Sequence, residues 1–272
     1  MTASGTTDDV FQADDRPLFI LGCVRSGTTL TRDLLRRVPG FICPEETHFF
    51  RWAEPFRTPL SMHPYRKNGL LRKHREIDGV SEEAFQRLVD RSRSKSELQR
   101  GYITEFARAK GVTGPYRWFD KTPQNVYAAA LIAQDMPRAR FLHLVRNPLN
   151  VVASLVLGRQ VKVPDIHGAC NYWIEAVKIM ATMGAACPDR ILTVRYEDLV
   201  ADVPDTMARI LAHADVAAPA GLFSRGDAHP ERELWLEALD ERQLRVVRNR
   251  CAALAAGFGY DIEADLQRRA AG

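Results

Sequence analysis

The chain has 272 residues, 46% of them hydrophobic and 26% charged, proportions that fit one α/β domain with insertions. A net charge of +4 favours anionic ligands, and five scattered cysteines without a C-x-x-C pair (Cys23, Cys43, Cys170, Cys187, Cys251) point to reduced thiols and away from structural zinc. No apolar run approaches the ~20 residues that span a bilayer and the polar, acidic opening is unlike a signal peptide, so a cytoplasmic protein is expected, with a disordered lead over residues 1–16 and a single domain over 17–272.

Leu18–Leu21 is a short apolar run suited to one buried strand. It breaks at Gly22-Cys23-Val24-Arg25-Ser26-Gly27-Thr28-Thr29 and gives way to a helix with Leu30, Leu34, Leu35 and Val38 on one face. Strand, glycine loop and helix N-terminus aim backbone N–H groups at one point, an arrangement that holds anions. The loop nearly matches G-x-x-x-x-G-K-[ST], with Gly22, Gly27 and Thr29 in place. Thr28 replaces the lysine that grips the β- and γ-phosphates of a nucleoside triphosphate, and the cation lies inside the loop as Arg25. ATP or GTP hydrolysis is therefore disfavoured, and a shorter phosphate-like ligand is expected.

Pro39-Gly40 stops the first helix. Phe41–Cys43 reads as a second strand, ending at Pro44-Glu45-Glu46-Thr47-His48-Phe49-Phe50. The acidic pair there either opens a helix or stands at a strand end beside the anion site. Residues 60–117 carry 13 Lys and Arg against 7 Asp and Glu. The spacing of Phe85, Leu88 and Val89, and of Leu98, Tyr102 and Phe106, predicts two or three helices forming a basic insertion or lid. Within it, Arg91-Ser92-Arg93-Ser94-Lys95 lacks the interleaved aromatics of a base-stacking surface and reads as a solvated face.

Trp118-Phe119-Asp120-Lys121-Thr122-Pro123 leads into a helix through Ala133, with Thr122 as N-cap and Pro123 at the first position, so that Lys121 stands at a helix entrance. Arg140–Val145 is the clearest strand after the first. It ends in Arg146 rather than in the aspartate that helps nucleoside triphosphatases hold magnesium, so a phosphate is expected there and not a metal. Asn147-Pro148 then opens a helix carrying Ser154. Cys170–Met183 reads as a packing helix and Ile191–Val194 as a short strand running into Arg195-Tyr196-Glu197-Asp198-Leu199. Asp202 and Pro204 start a helix through Ala214. A loop holding Ser224-Arg225-Gly226 precedes two closing helices, Leu234–Leu239 and Leu244–Ala256. Four strands alternating with helices predict an α/β fold, a P-loop-type parallel sheet flanked by helices, with the helical insertion as a lid.

Four features recur in the order known from sulfotransferases that use 3′-phosphoadenosine 5′-phosphosulfate (PAPS). They are the RSGTT loop at Arg25–Thr29, an acid two residues before His48, DKTP with Lys121, and a strand ending in Arg146 with Ser154 eight residues on. The sequence most resembles the tyrosylprotein branch, which carries RSGTT, an EET triplet and a Y-E-x-L segment, here Tyr196-Glu197 with Leu199. EETHFF is also similar to the acid–x–His–Phe–Phe of heparan-type sulfotransferases. The resemblance implies that Arg25, Ser26, Gly27, Thr28 and Thr29 cradle the 5′-phosphosulfate, that Arg146 and Ser154 bind the 3′-phosphate, and that Tyr196 lies near the nucleotide. It implies Glu46 as general base toward the acceptor hydroxyl, with Glu45 as the alternative, and Lys121 with Arg25 as the cations facing the transferring group.

The sequence also departs from that pattern. His48 replaces an arginine of the tyrosylprotein branch, and the arginine expected shortly after Ser154 is displaced, with Gly158 in its position and Arg159 following. Ser224, Arg225 and Gly226 are the candidates for a C-terminal nucleotide loop. A sulfuryl group carries less charge than a terminal phosphoryl, so Lys and Arg suffice and no metal is expected. The implied acceptor is a hydroxyl of a small molecule, carbohydrate or peptide. Neither nucleic acid nor membrane is an expected partner, and relatives often form homodimers. Two rival readings stand: a divergent P-loop kinase or nucleotidase, and a non-catalytic nucleotide- or RNA-binding protein using the basic 60–117 segment.

Overall fold

The computed structural model describes residues 15–51, 54–158 and 161–271. The proposed disordered lead and Arg159 therefore lie largely outside the described residues. At the centre runs β1 (Leu18–Gly22), buried along its whole length. With β2 (Phe41–Ile42), β3 (Arg117–Asp120), β4 (Arg140–Val145) and β5 (Ile191–Arg195) it forms one parallel sheet in the order β2-β3-β1-β4-β5. Alternation along β1 divides its side chains between two cores. Phe19 and Leu21 join Phe141 and Val145 in one, while Leu18 and Ile20 join Leu142 and Leu144 in the other. A strand apolar on both faces needs helices on both sides, and the crossovers of a parallel sheet supply them.

The helices follow in chain order. They are α1 (Thr28–Leu35), the insertion helices α2 (Pro59–Lys67), α3 (Gly69–Asp78), α4 (Glu82–Arg91) and α5 (Lys95–Ala109), then α6 (Ala129–Asp135), α7 (Pro148–Leu157), α8 (Ile166–Ala186), α9 (Tyr196–Ala201), α10 (Val203–Ala214), α11 (Trp235–Ala238), α12 (Glu241–Ala256) and α13 (Ile262–Ala271). Among the described residues no helix is long and apolar enough to cross a membrane.

The parallel α/β sheet is as expected from the sequence, with three differences of detail. The sheet has five strands, not four, because Arg117–Asp120 inserts as β3 between β1 and β2. Its four residues are too few to show a period and read as the approach to a helix. The chain after them first makes a 3₁₀ turn, Pro123–Ala128, and Thr122 does not cap it. Instead the Thr122 hydroxyl turns back to the Asp120 carboxylate at 3.3 Å. The basic insertion holds four helices rather than two or three, because Thr58 and Asn68 cap α2 and α3, whose apolar residues are too sparse to announce them.

Candidate active site

All five strands run parallel, so their C-terminal ends open along one edge, the side on which α/β sheets bind ligands. Five segments leave the sheet there: the glycine loop after β1, Glu45-Glu46 after β2, Lys121 after β3, Arg146 after β4 and Tyr196 after β5.

Two glycines shape the loop. Gly22 has φ 146°, and a Cβ there would lie 2.4 Å from the Leu144 carbonyl oxygen of β4. Gly27, with φ 87°, leads into α1, and its Cβ would meet the Tyr196 ring at 2.1 Å. Arg25 between them also lies in the left-handed region, φ 72°. α1 begins with no side-chain cap and no acid in its first turn, which leaves its leading N–H groups to an anion. The Ser26 hydroxyl is buried without a hydrogen-bond partner, an orphan that a ligand oxygen would satisfy. Thr28 is buried, whereas Thr29 is exposed.

Arg146 faces this loop. Its Nη1 donates to the Arg25 carbonyl at 3.0 Å, and its guanidinium lies 4.4 Å from the centre of the Tyr196 ring. Nε and Nη2 both donate to Oε1 of Glu231, at 3.0 and 2.6 Å. The Arg146 backbone is held as well, its carbonyl accepting from the Trp173 indole at 2.9 Å. Arg25 reaches the other way, with Nε donating to the Ser154 hydroxyl at 2.9 Å. The residues assigned to the two ends of a nucleotide thus converge on one patch.

One strand over lies a carboxylate centre. Lys121 donates to Glu46 Oε1, and His48 Nε2 stands 3.3 Å from Oε2. Burial alone would raise the Glu46 pKa. The His48 hydrogen bond and the Lys121 charge outweigh it and hold the carboxyl down at about 2. Burial lowers His48 below its ordinary value despite that carboxylate. Glu45 points elsewhere: its two oxygens pair with Arg32 and Arg36 of α1, each at 3.0 Å. Neighbouring acids therefore divide, one tying β2 to α1 and the other facing Lys121.

A buried polar knot holds this centre in register. Asp120 accepts from Thr47 Oγ1 at 2.9 Å, Thr122 Oγ1 at 3.3 Å and Asn125 Nδ2 at 3.0 Å. Thr47 also approaches Gln99 of α5, at 3.0 Å, and its backbone N–H donates to Thr122 Oγ1. Thr47 thus links the insertion helix α5 to the Asp120 carboxyl at the end of β3, a carboxyl that burial pushes up to about 6 against its hydrogen bonds. On the Arg146 side of the sheet Glu197 plays a similar part. Its carboxylate accepts from the Asn147 backbone N–H at 2.9 Å and from the Tyr260 hydroxyl at 2.6 Å.

Asp120, Thr47, Glu197 and Glu231 are thus the site residues that sequence reasoning left without a role. The first three sat inside motifs already singled out. Glu231 sits in an irregular loop with no pattern around it. The Ser224-Arg225-Gly226 candidates are not brought to the site: Arg225 pairs with Asp202, and the neighbouring Asp227 pairs with Arg37 beyond the C-terminal end of α1.

The profile described as "Sulfotransferase family" matches residues 17–220. Protein-tyrosine sulfotransferase 1 of Danio rerio is 24% identical over 216 residues, covering 78% of this chain and 56% of its own length. Protein-tyrosine sulfotransferase A of Caenorhabditis elegans is 26% identical, covering 77% of this chain and 52% of its own length. The chain therefore spans about half the length of these curated relatives. In fold it is similar to the sulfotransferase domain of the Synechococcus PCC 7002 olefin synthase, with a TM-score of 0.60 at 22% identity, covering 89% of this chain and 86% of that one. Since the family match takes in every strand and each cluster built above except the Glu231 and Tyr260 contacts, the chain belongs to the sulfotransferase family.

Proposed function

We propose that this chain transfers the sulfuryl group of PAPS to an acceptor hydroxyl. The observation that carries the reading is the pairing of two centres on one sheet edge. One is a cation and N–H patch of Arg25, Ser26, Arg146 and Ser154, and the other is an ionised Glu46 in contact with Lys121. The family match and the relatives named as protein-tyrosine sulfotransferases support the same reaction class.

In this reading the 5′-phosphosulfate sits over the α1 N-terminus, with Ser26 and the loop N–H groups as donors, and Arg146 and Ser154 take the 3′-phosphate. Arg25 leaves Ser154 to follow the phosphosulfate. Sulfuryl transfer, like phosphoryl transfer, passes through a loose in-line transition state with charge on its peripheral, entering and leaving oxygens. Prepositioned cations and N–H groups stabilise that charge without reorganising. Glu46 accepts the proton of the attacking hydroxyl, and Lys121 moves from Glu46 toward the oxygen bridging sulfur and phosphorus. That exchange has a useful sign. Losing its ammonium partner makes Glu46 a stronger base at the moment the leaving oxygen gains a cation.

The test is label transfer. Wild type incubated with radiolabelled PAPS and a panel of tyrosine peptides, phenols and oligosaccharides should sulfate at least one acceptor class, and the Glu46→Gln variant should not. Absence of transfer to every class, with no binding of adenosine 3′,5′-bisphosphate, would refute the reading.

A further inference from the structure

At Arg146 three N–H donors converge on a single oxygen. Arg146 Nε and Nη2 and the Asn150 amide all point at Glu231 Oε1. Charge-assisted donors around one oxygen make an oxyanion site, and here a side chain of the protein itself fills it. Two further features distinguish this from an ordinary structural ion pair. Glu231 Oε2 and Asn150 Oδ1 are both buried without hydrogen-bond partners, so the carboxylate satisfies the donors while leaving acceptors stranded. Glu231 also comes from an irregular segment between the 3₁₀ turn Arg225–Asp227 and α11, and its neighbours His229, Pro230, Arg232 and Glu233 are exposed.

We infer that Glu231 is a resident stand-in for the 3′-phosphate, a carboxylate latch that occupies the Arg146–Asn150 oxyanion site in the empty protein and must be displaced when the nucleotide binds. The inference rests on the PAPS reading above and adds to it a residue that sets nucleotide affinity. A carboxylate and a phosphate cannot share these donors, since two anions on one guanidinium repel. The apparent affinity for a 3′-phosphorylated nucleotide is then the intrinsic affinity reduced by the fraction of molecules already unlatched. A nucleotide without a 3′-phosphate leaves the latch in place and is indifferent to it. The same competition acts on the bisphosphate product, which Glu231 helps to expel.

The experiment is titration calorimetry of wild type, Glu231→Gln and Glu231→Ala with adenosine 3′,5′-bisphosphate and with AMP. Glu231 is flanked by exposed residues in an irregular segment, and the glutamine keeps the shape while removing the charge. Bisphosphate should bind both variants at least about tenfold more tightly than wild type, as expected if the latch is closed in nine molecules of ten or more, with AMP changed by less than about threefold. Tighter binding of bisphosphate than AMP to wild type, with no gain in either variant, would overturn the latch alone. Bisphosphate binding no better than AMP in all three proteins would overturn the nucleotide reading and this inference with it.

Discussion

The guanidinium of Arg146 donates to the backbone carbonyl of Arg25 at 3.0 Å, tying the end of β4 to the middle of the glycine loop after β1. Neither residue can be repositioned without the other. The strand-end cation therefore acts as a strut for the loop as well as a candidate phosphate anchor, and the Tyr196 ring packs against both Arg146 and Gly27.

Replacing Arg146 with alanine removes a set of charge-assisted donors. Adenosine 3′,5′-bisphosphate should then bind about 30-fold more weakly or worse, roughly 2 kcal/mol, while AMP loses far less. Calorimetry with the two nucleotides measures the difference. An equal loss for both would mean that Arg146 serves the loop only.

Glu46→Gln removes the proposed base but preserves size and most contacts. Nucleotide affinity should stay within about threefold of wild type while turnover falls by at least about two orders of magnitude. A variant that turns over at near wild-type rate would exclude Glu46 from proton transfer.

Lys121 is one of the groups that keep the Glu46 carboxyl at about 2. Wild type should accordingly show no acid limb from Glu46 in kcat/KM between pH 5 and 8. In Lys121→Met the carboxyl rises toward its buried value, and a limb should enter the accessible range alongside a large loss of rate. A profile flat down to pH 5 in that variant would contradict the coupling.

Gly22→Ala should destabilise the fold by about 3 kcal/mol, because φ 146° disfavours any Cβ and the atom 2.4 Å away is a backbone oxygen that cannot turn aside. Urea denaturation reads this directly. The same substitution at Gly184, which has open space at its Cβ position, is the control.

Two buried groups give stability opposite pH dependences. His143 titrates at about 4 in the fold against an ordinary 6.5, so the stability it confers above pH 6.5 is lost as pH falls toward 4. Asp120 is raised from 3.8 to about 6, so its contribution is full below 3.8 and is lost as pH rises through 6. Each spans roughly 3 kcal/mol, and between pH 4 and 6 they nearly cancel. Asp120→Asn should unmask the histidine and make urea-monitored stability fall more steeply with acid than in wild type. Equal slopes for the two proteins would count against this assignment.

Sequence alone determined the frame. β1 is apolar over its full buried length and β4 is so except at His143, and the glycine loop, DKTP and the Arg146–Ser154 spacing are local patterns that survive without a partner in view. The parallel sheet then follows, because strands alternating with helices have few other ways to bury both faces. Only the tertiary structure decided which of two adjacent acids faces Lys121, that Thr47 bridges Asp120 and Gln99 of the insertion, and that a carboxylate from an unpatterned loop lies on Arg146. Those outcomes depend on charges and hydrogen-bonding groups brought together from as far as 85 positions apart, as in Arg146 to Glu231. No periodicity in a chain records such meetings, since their energy comes from distance and burial in the folded state.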